Sequence, residues 1–238
     1  MRKSLCAWLA LAAGVLTAPL ALAATVNVDF GDSAQLSASP PYNNIVVNAP
    51  SILSIANLAD ISGNPTGIGI AAAGFFNGSN QNGTTAPSGA AAMFAASATR
   101  DNAFGHAGPF GGNPLTPQAT VDLTGLNPGW TYNFTFFGSR TGVSDIRDAK
   151  YDVNGANSGS AVLDASNNVS NVATVTGIAP TGAGTIQIVV GPGPNNNNGS
   201  LFYYLGAMQI VGVPEPAGAS LSAVAVAALA ALRRRRDS

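Results

Sequence analysis

The sequence predicts an all-β fold, a single β-sandwich with jelly-roll or Greek-key wiring, and three observations predict it. Short segments alternate at period two: "TVNVDF" sets Val26, Val28 and Phe30 on one face, "ATVDLTG" sets Ala119, Val121 and Leu123 against Thr120, Asp122 and Thr124, and "TIQIVV" repeats the pattern through Ile186, Ile188 and Val190. Turn chemistry such as "SGNPTG", "VNGANSG" and "GPGP" separates these segments. Residues 24–212 carry no linker and no repeat at a fixed period, and their length suits one all-β domain.

Taken in order, strands are expected at 25–30, 44–48, 51–58, 66–74, 119–124, 130–136, 149–153, 160–164, 170–176 and 186–190. The segment "LFYYLGAMQIV" sets Phe202, Tyr204, Met208 and Ile210 against Tyr203, Leu205 and Gln209; it reads as one long strand, apolar on both sides, and belongs near the centre. Only the Ala-rich stretch 89–98 favours a short helix. Residues 76–90 and 191–200, rich in Gly, Asn, Ser and Pro, read as long surface loops. In "LTGLNPGWTYNFTFFGSR", Pro128 and Gly129 make a turn, after which Trp130, Tyr132, Phe134 and Phe136 share an inward face.

Both ends differ from this body. Residues 1–23 have a basic start at Arg2 and Lys3, an apolar stretch, and small residues Ala21 and Ala23 at signal-peptidase spacing: a signal helix cut after Ala23. Cys6 leaves with it, so the mature chain has no thiol and no disulfide. The other end, 213–238, orders Val213, Pro214, Glu215 and Pro216, an apolar run at 217–232, then Arg233, Arg234, Arg235 and Arg236. A helix over that run rises about 24 Å, a short transmembrane span, and the arginines orient it with their own end in the cytoplasm.

This order of three parts resembles the PEP-CTERM sorting signal. The resemblance implies transient insertion in the inner membrane, recognition by an exosortase-type membrane protease at the Pro-Glu-Pro motif, and delivery to the cell envelope or extracellular matrix of a Gram-negative, exopolysaccharide-making host. Signal peptidase is the expected partner at the other end. The turn at Pro128–Gly129 and the following tyrosine resemble the corner of fibronectin type III sandwiches. The domain as a whole, with its "FYYLGAMQI" ending, resembles galactose-binding-like jelly rolls, which implies carbohydrate binding.

Charge excludes one class of partner. Residues 24–213 carry Arg100, Arg140, Arg147 and Lys150 against nine aspartates and no glutamate. Four cations cannot supply the clustered phosphate neutralisation that nucleic acid requires.

Catalytic motifs are sparse. "GDSA", Gly31 to Ala34, is similar to the nucleophile block of GDSL-type serine hydrolases, but the single histidine, His106, stands in no Asp-x-x-His motif, so a turn after the first strand is expected. His106 itself, in "DNAFGHAGPFGG", reads as a loop residue. No cofactor is expected; Ca²⁺ is the one ion with candidate ligands, Asp145, Asp148 and Asp152, in an oxygen-rich stretch that lacks EF-hand spacing. Arg140, Asp145 and Asp148 are equally candidates to hydrogen-bond a sugar, and Tyr42 and Tyr203 are candidate exposed platforms for one. The function expected is a non-catalytic glycan- or exopolysaccharide-associated sandwich. The alternatives are a secreted glycoside hydrolase or lyase, which needs two carboxylates flanking a cleft, and a purely structural surface protein.

Overall fold

The computed structural model describes residues 24–48 and 51–215. The signal helix, Pro216, the apolar run and the arginine cluster lie outside the described residues. No helix among the described residues is long and apolar enough to cross a membrane.

The strands are β1 (Thr25–Gly31), β2 (Tyr42–Val46), β3 (Ser54–Ile55), β4 (Gly69–Ala73), β5 (Ser79–Asn80), β6 (Asn102–His106), β7 (Ala119–Thr124), β8 (Trp130–Phe137), β9 (Asp148–Asn154), β10 (Ser158–Asp164), β11 (Ala173–Ile178), β12 (Ile186–Pro192), β13 (Phe202–Leu205) and β14 (Ala207–Pro214). They make a five-stranded sheet, β11-β8-β14-β1-β2, a six-stranded sheet, β10-β9-β12-β7-β4-β3, and a small sheet, β13-β6-β5. Number β1, β7 to β12 and β14 as eight in chain order. The two large sheets then read sixth-third-eighth-first and fifth-fourth-seventh-second, the nested Greek keys of a jelly roll.

The period-two segments do what their pattern demands. Val26, Val28 and Phe30 from β1, Val121 and Leu123 from β7, and Ile186, Ile188 and Val190 from β12 are fully buried in one core between the large sheets. Each such side chain is worth roughly 1.5–3 kcal/mol of transfer free energy. Phe136 of β8 and Tyr151 of β9 stack face to face at 4.5 Å, tying the two layers together. Tyr132 ties turn to strand, its Oη accepting from the Asn127 amide at 2.8 Å, so the predicted corner forms. The Ala-rich stretch makes a 3₁₀ turn at Gly89–Met93 and one helical turn, α1, at Ala96–Thr99.

Four expectations need correction. The long strand is two: the chain crosses from the small sheet to the five-stranded sheet at Gly206, where a Cβ would lie 2.6 Å from Asn102 Oδ1. This break resets the alternation, so that Tyr203 and Leu205 share the core with Met208 and Ile210. The later half, β14, does lie centrally, between β8 and β1. Second, β1 is buried on both faces: the Ala-rich turns carrying Ala91, Phe94 and Ala98 pack with Tyr42, Phe137 and Ala207 on the outer side of the sheet, where Asn27 and Asp29 are buried and bonded to Gln209 and Ser37. Third, the strand expected at 51–58 shrinks to β3, while "SN" and "NAFGH" pair as β5 and β6 although Gly105 and His106 make the latter look like a loop. Fourth, the strand β14 passes residue 212, and Val213 and Pro214 pair with Thr131 and Trp130.

Candidate functional site

The small sheet has two unlike faces. Ala103, Tyr203 and Leu205 point into the main core, so the alternate residues Phe104, His106, Phe202 and Tyr204 must point the other way. There they meet Phe76 and Phe110 from the loops after β4 and β6. Phe110 and Phe202 meet edge to face at 5.0 Å, Phe104 and Phe202 at 5.8 Å, and Phe76 lies 5.0 Å from Phe104. Phe104 and Tyr204 are buried, whereas Phe76, Phe110 and Phe202 keep part of their surface exposed.

Beside these rings opens a concavity of about 210 Å³ lined by Asn80, Phe104, Phe110, Arg140, Arg147, Phe202 and Tyr204. It is below the usual size for drug-like ligands, about 300–1,000 Å³, and suits a single ring. Two of the four cations of residues 24–213 line it. Arg147 is fixed on every side. Its Nε and Nη2 donate to the two carboxylate oxygens of Asp145 at 2.9 and 3.2 Å, its Nη1 donates to Tyr204 Oη at 2.6 Å, and its guanidinium carbon lies 5.4 Å from the centre of the Phe202 ring. Burial works against this charge, but the Asp145 and Tyr204 hydrogen bonds prevail and hold the group firmly protonated. Asp145 is held below the usual carboxylate range by the Arg147 hydrogen bond, aided by the Asn198 amide. Burial raises the Tyr204 phenol, and Arg147 offsets part of that rise.

Arg140 is different. It enters from the end of β8, where its backbone N–H donates to Ala165 O at 2.7 Å, and its Nη1 donates to Thr141 O at 2.6 Å. Among the described residues only Arg147 and Lys150 are ion-paired, so this half-buried guanidinium faces the concavity without a carboxylate partner. Asn80 lies across from it, its Oδ1 already accepting from the Asn82 amide at 3.0 Å.

Of the residues singled out from the sequence, Arg140 and Asp145 come together here, one as lining and one as the brace of Arg147. Asp148 does not: it is 4% exposed at the start of β9 and accepts from the Asn195 amide at 3.1 Å. Asp152 points out from β9 and pairs with Lys150 at 2.8 Å. The three Ca²⁺ candidates are thus divided among separate partners, and no group of three or more His, Cys, Asp or Glu among the described residues converges to hold a metal ion. Tyr42 and Tyr203, expected to be exposed, are buried at 3% and 0%. Both sit on faces that other elements cover, and their hydroxyls are engaged, Tyr42 accepting from Ala95 N and Tyr203 donating to Thr116 O. His106 is not a loop residue either. It ends β6, fully buried, with Nδ1 2.8 Å from Gly108 O and Phe76, Phe110 and Phe202 around its ring. Arg147, Phe202 and Tyr204 were in view in the sequence, but which ring of "FYY" faces outward depends on the break at Gly206.

"GDSA" forms the expected turn, with Asp32 Oδ1 accepting from Ala34 N at 2.8 Å. Behind it lies a sealed carboxylate pair. Asp101 Oδ2 accepts from Asp32 N at 2.6 Å in space that a side chain at Gly31 would fill, while Asp29 Oδ2 accepts from Ser37 N at 3.2 Å. Burial pushes Asp29 up to about 7, with Ser37 opposing and the charge of Asp101 adding to the rise; burial likewise pushes Asp101 up to about 6. Their Oδ1 atoms have no hydrogen-bond partner, and the residues are 2% and 1% exposed.

No protein-family model and no curated protein sequence matches the chain. Among solved structures, TmCBM61 in complex with β-1,4-galactotriose is similar at 13% identity and a TM-score of 0.25, over 47% of this chain and 66% of that one. An exo-β-1,3-galactanase from Phanerochaete chrysosporium, solved with galactose, is similar at 16% identity and a TM-score of 0.26, over 66% of this chain and 32% of that one.

Proposed function

We propose that this chain is an exported, non-catalytic, galactose-binding-like jelly roll that holds a glycan in the pocket between Phe110, Phe202 and the two arginines. The single observation that carries the reading is the pairing of partly exposed aromatic rings with fixed hydrogen-bond donors in one concavity. A pyranose face stacks on a ring while its oxygens accept from guanidinium and amide groups. Asp145 and Tyr204 hold Arg147 still, so little side-chain entropy is lost when a ligand arrives. The tail and the leader support an envelope or matrix location: signal peptidase removes residues 1–23, and an exosortase-type protease acts at Val213–Pro216 after transient membrane insertion through 217–232.

The hydrolase alternative fares less well. No carboxylate among the described residues lines this pocket, and Asp145, which braces the lining Arg147, is held ionised by it and is unsuited to donate a proton. Asp29 and Asp101 have the raised affinity for protons that an acid needs, yet they are sealed under the Ala-rich turns.

Isothermal titration of the full chain against a panel of oligosaccharides and the host's own exopolysaccharide tests the proposal. Binding that Phe202→Ala weakens about tenfold or more is the expected result. No heat with any glycan at millimolar concentration, or binding indifferent to Phe202→Ala, overturns it.

A further inference from the structure

Resting on the glycan reading above, we infer that the sugar bears a carboxylate: the pocket takes a uronate residue, with its acid group on Arg140.

The donor inventory carries the inference. The polar residues lining the concavity are Arg140, Arg147, Asn80 and Tyr204. Tyr204 Oη already accepts from Arg147 and has its proton left to give, and Asn80 Oδ1 already accepts from Asn82 N, which leaves its two amide hydrogens and one lone pair. Each of these groups therefore offers hydrogen to a ligand. A neutral sugar presents hydroxyls that must donate as well as accept, and a pocket with more donors than acceptors leaves some of their protons unmatched. A carboxylate only accepts.

Charge points the same way. Asp145 neutralises Arg147, so the charge left in the pocket is that of Arg140. In a body of nine aspartates and four cations, that guanidinium is half-buried with a carbonyl for company and no carboxylate within ion-pair distance among the described residues. A planar anion arriving from outside completes it, since a guanidinium fork matches a carboxylate through two parallel hydrogen bonds. The rings of Phe110 and Phe202 then face the apolar side of the same sugar.

The test is titration of the full chain with galacturonate and glucuronate trimers, their methyl esters, the neutral galactose and glucose trimers, and a sulfated neutral trimer. The expected result is that one uronate trimer binds at least tenfold more tightly than its methyl ester and its neutral counterpart, and that Arg140→Gln, with its thermal transition intact, removes that preference. Because the ester comparison needs no variant, it stands even if Arg140→Gln fails to fold. Equal binding of acid and ester overturns this inference and leaves the glycan reading standing. A sulfated trimer that matches the uronate overturns the choice of carboxylate. Binding of none of these, nor of any neutral glycan, removes the glycan reading itself.

Discussion

Replacing Asp29 with asparagine isolates the cost of the buried carboxylate pair. Below pH 3.8 the folded and unfolded chains both hold the Asp29 proton. As pH rises from there to about 7 the unfolded chain releases it and the folded chain keeps it. The folded state then binds more protons than the unfolded one, so stability falls with rising pH through this window and levels off above it. A displacement of about three pH units at about 1.4 kcal/mol each makes the full loss about 4 kcal/mol. The asparagine side chain keeps an oxygen for the Ser37 amide and cannot ionise. The stability of Asp29→Asn relative to the parent should therefore rise by about 4 kcal/mol between about pH 4 and pH 8, roughly 10 °C in Tm for a domain of this size. Thermal melts followed by circular dichroism at about pH 4, 6 and 8 read this directly. Parent and variant curves that run parallel across the range would refute the reasoning, for they would place Asp29 in contact with water in the folded state.

Tyr204→Phe removes the acceptor of the Arg147 hydrogen bond and should cost about 1.5–3 kcal/mol in urea denaturation, with glycan affinity reduced as Arg147 loosens; an unchanged midpoint and affinity would show that Arg147 needs no such anchor. Gly206→Ala places a methyl 2.6 Å from Asn102 Oδ1 and 2.9 Å from Asp101 O and should destabilise by about 2 kcal/mol in the same assay; a neutral effect would mean that the strand crossing has slack. Intact-mass measurement on protein from its native host should show a chain starting at Ala24 and ending within Val213–Pro216; a chain with both ends retained in soluble cytosol would remove the sorting proposal.

Most of the sandwich was legible because its strands bury one face and expose the other, which writes the period into the residues: β7 follows the alternation throughout and β12 follows it as far as Gly191. Legibility failed where a strand is covered on both sides. Asn27 and Asp29 look like the solvent face of β1, and distant segments, among them the Ser37 loop, Gln209 and the Ala-rich turns packed on that side, make them interior. It failed again at the site, where the pocket joins Asn80, Phe110, Arg140 and Phe202 from four separate parts of the chain. Arg140 and Asp145 were found because charge is rare in this body. Phe202 and Tyr204 could not be told from Tyr203, since a single glycine decides which of them turns outward.

Because β14 follows the pocket strand directly after the crossing at Gly206 and runs to Pro214, it also sets how the molecule bears load. A pull at the Pro214 end of β14, resisted by whatever Phe202 and Tyr204 hold, travels lengthwise along a strand flanked by β8 and β1. Its ladder bonds run across that direction, so they must yield together in shear and do not peel one at a time. A load between the pocket and Pro214 would thus be carried by the two ladders of β14 in shear.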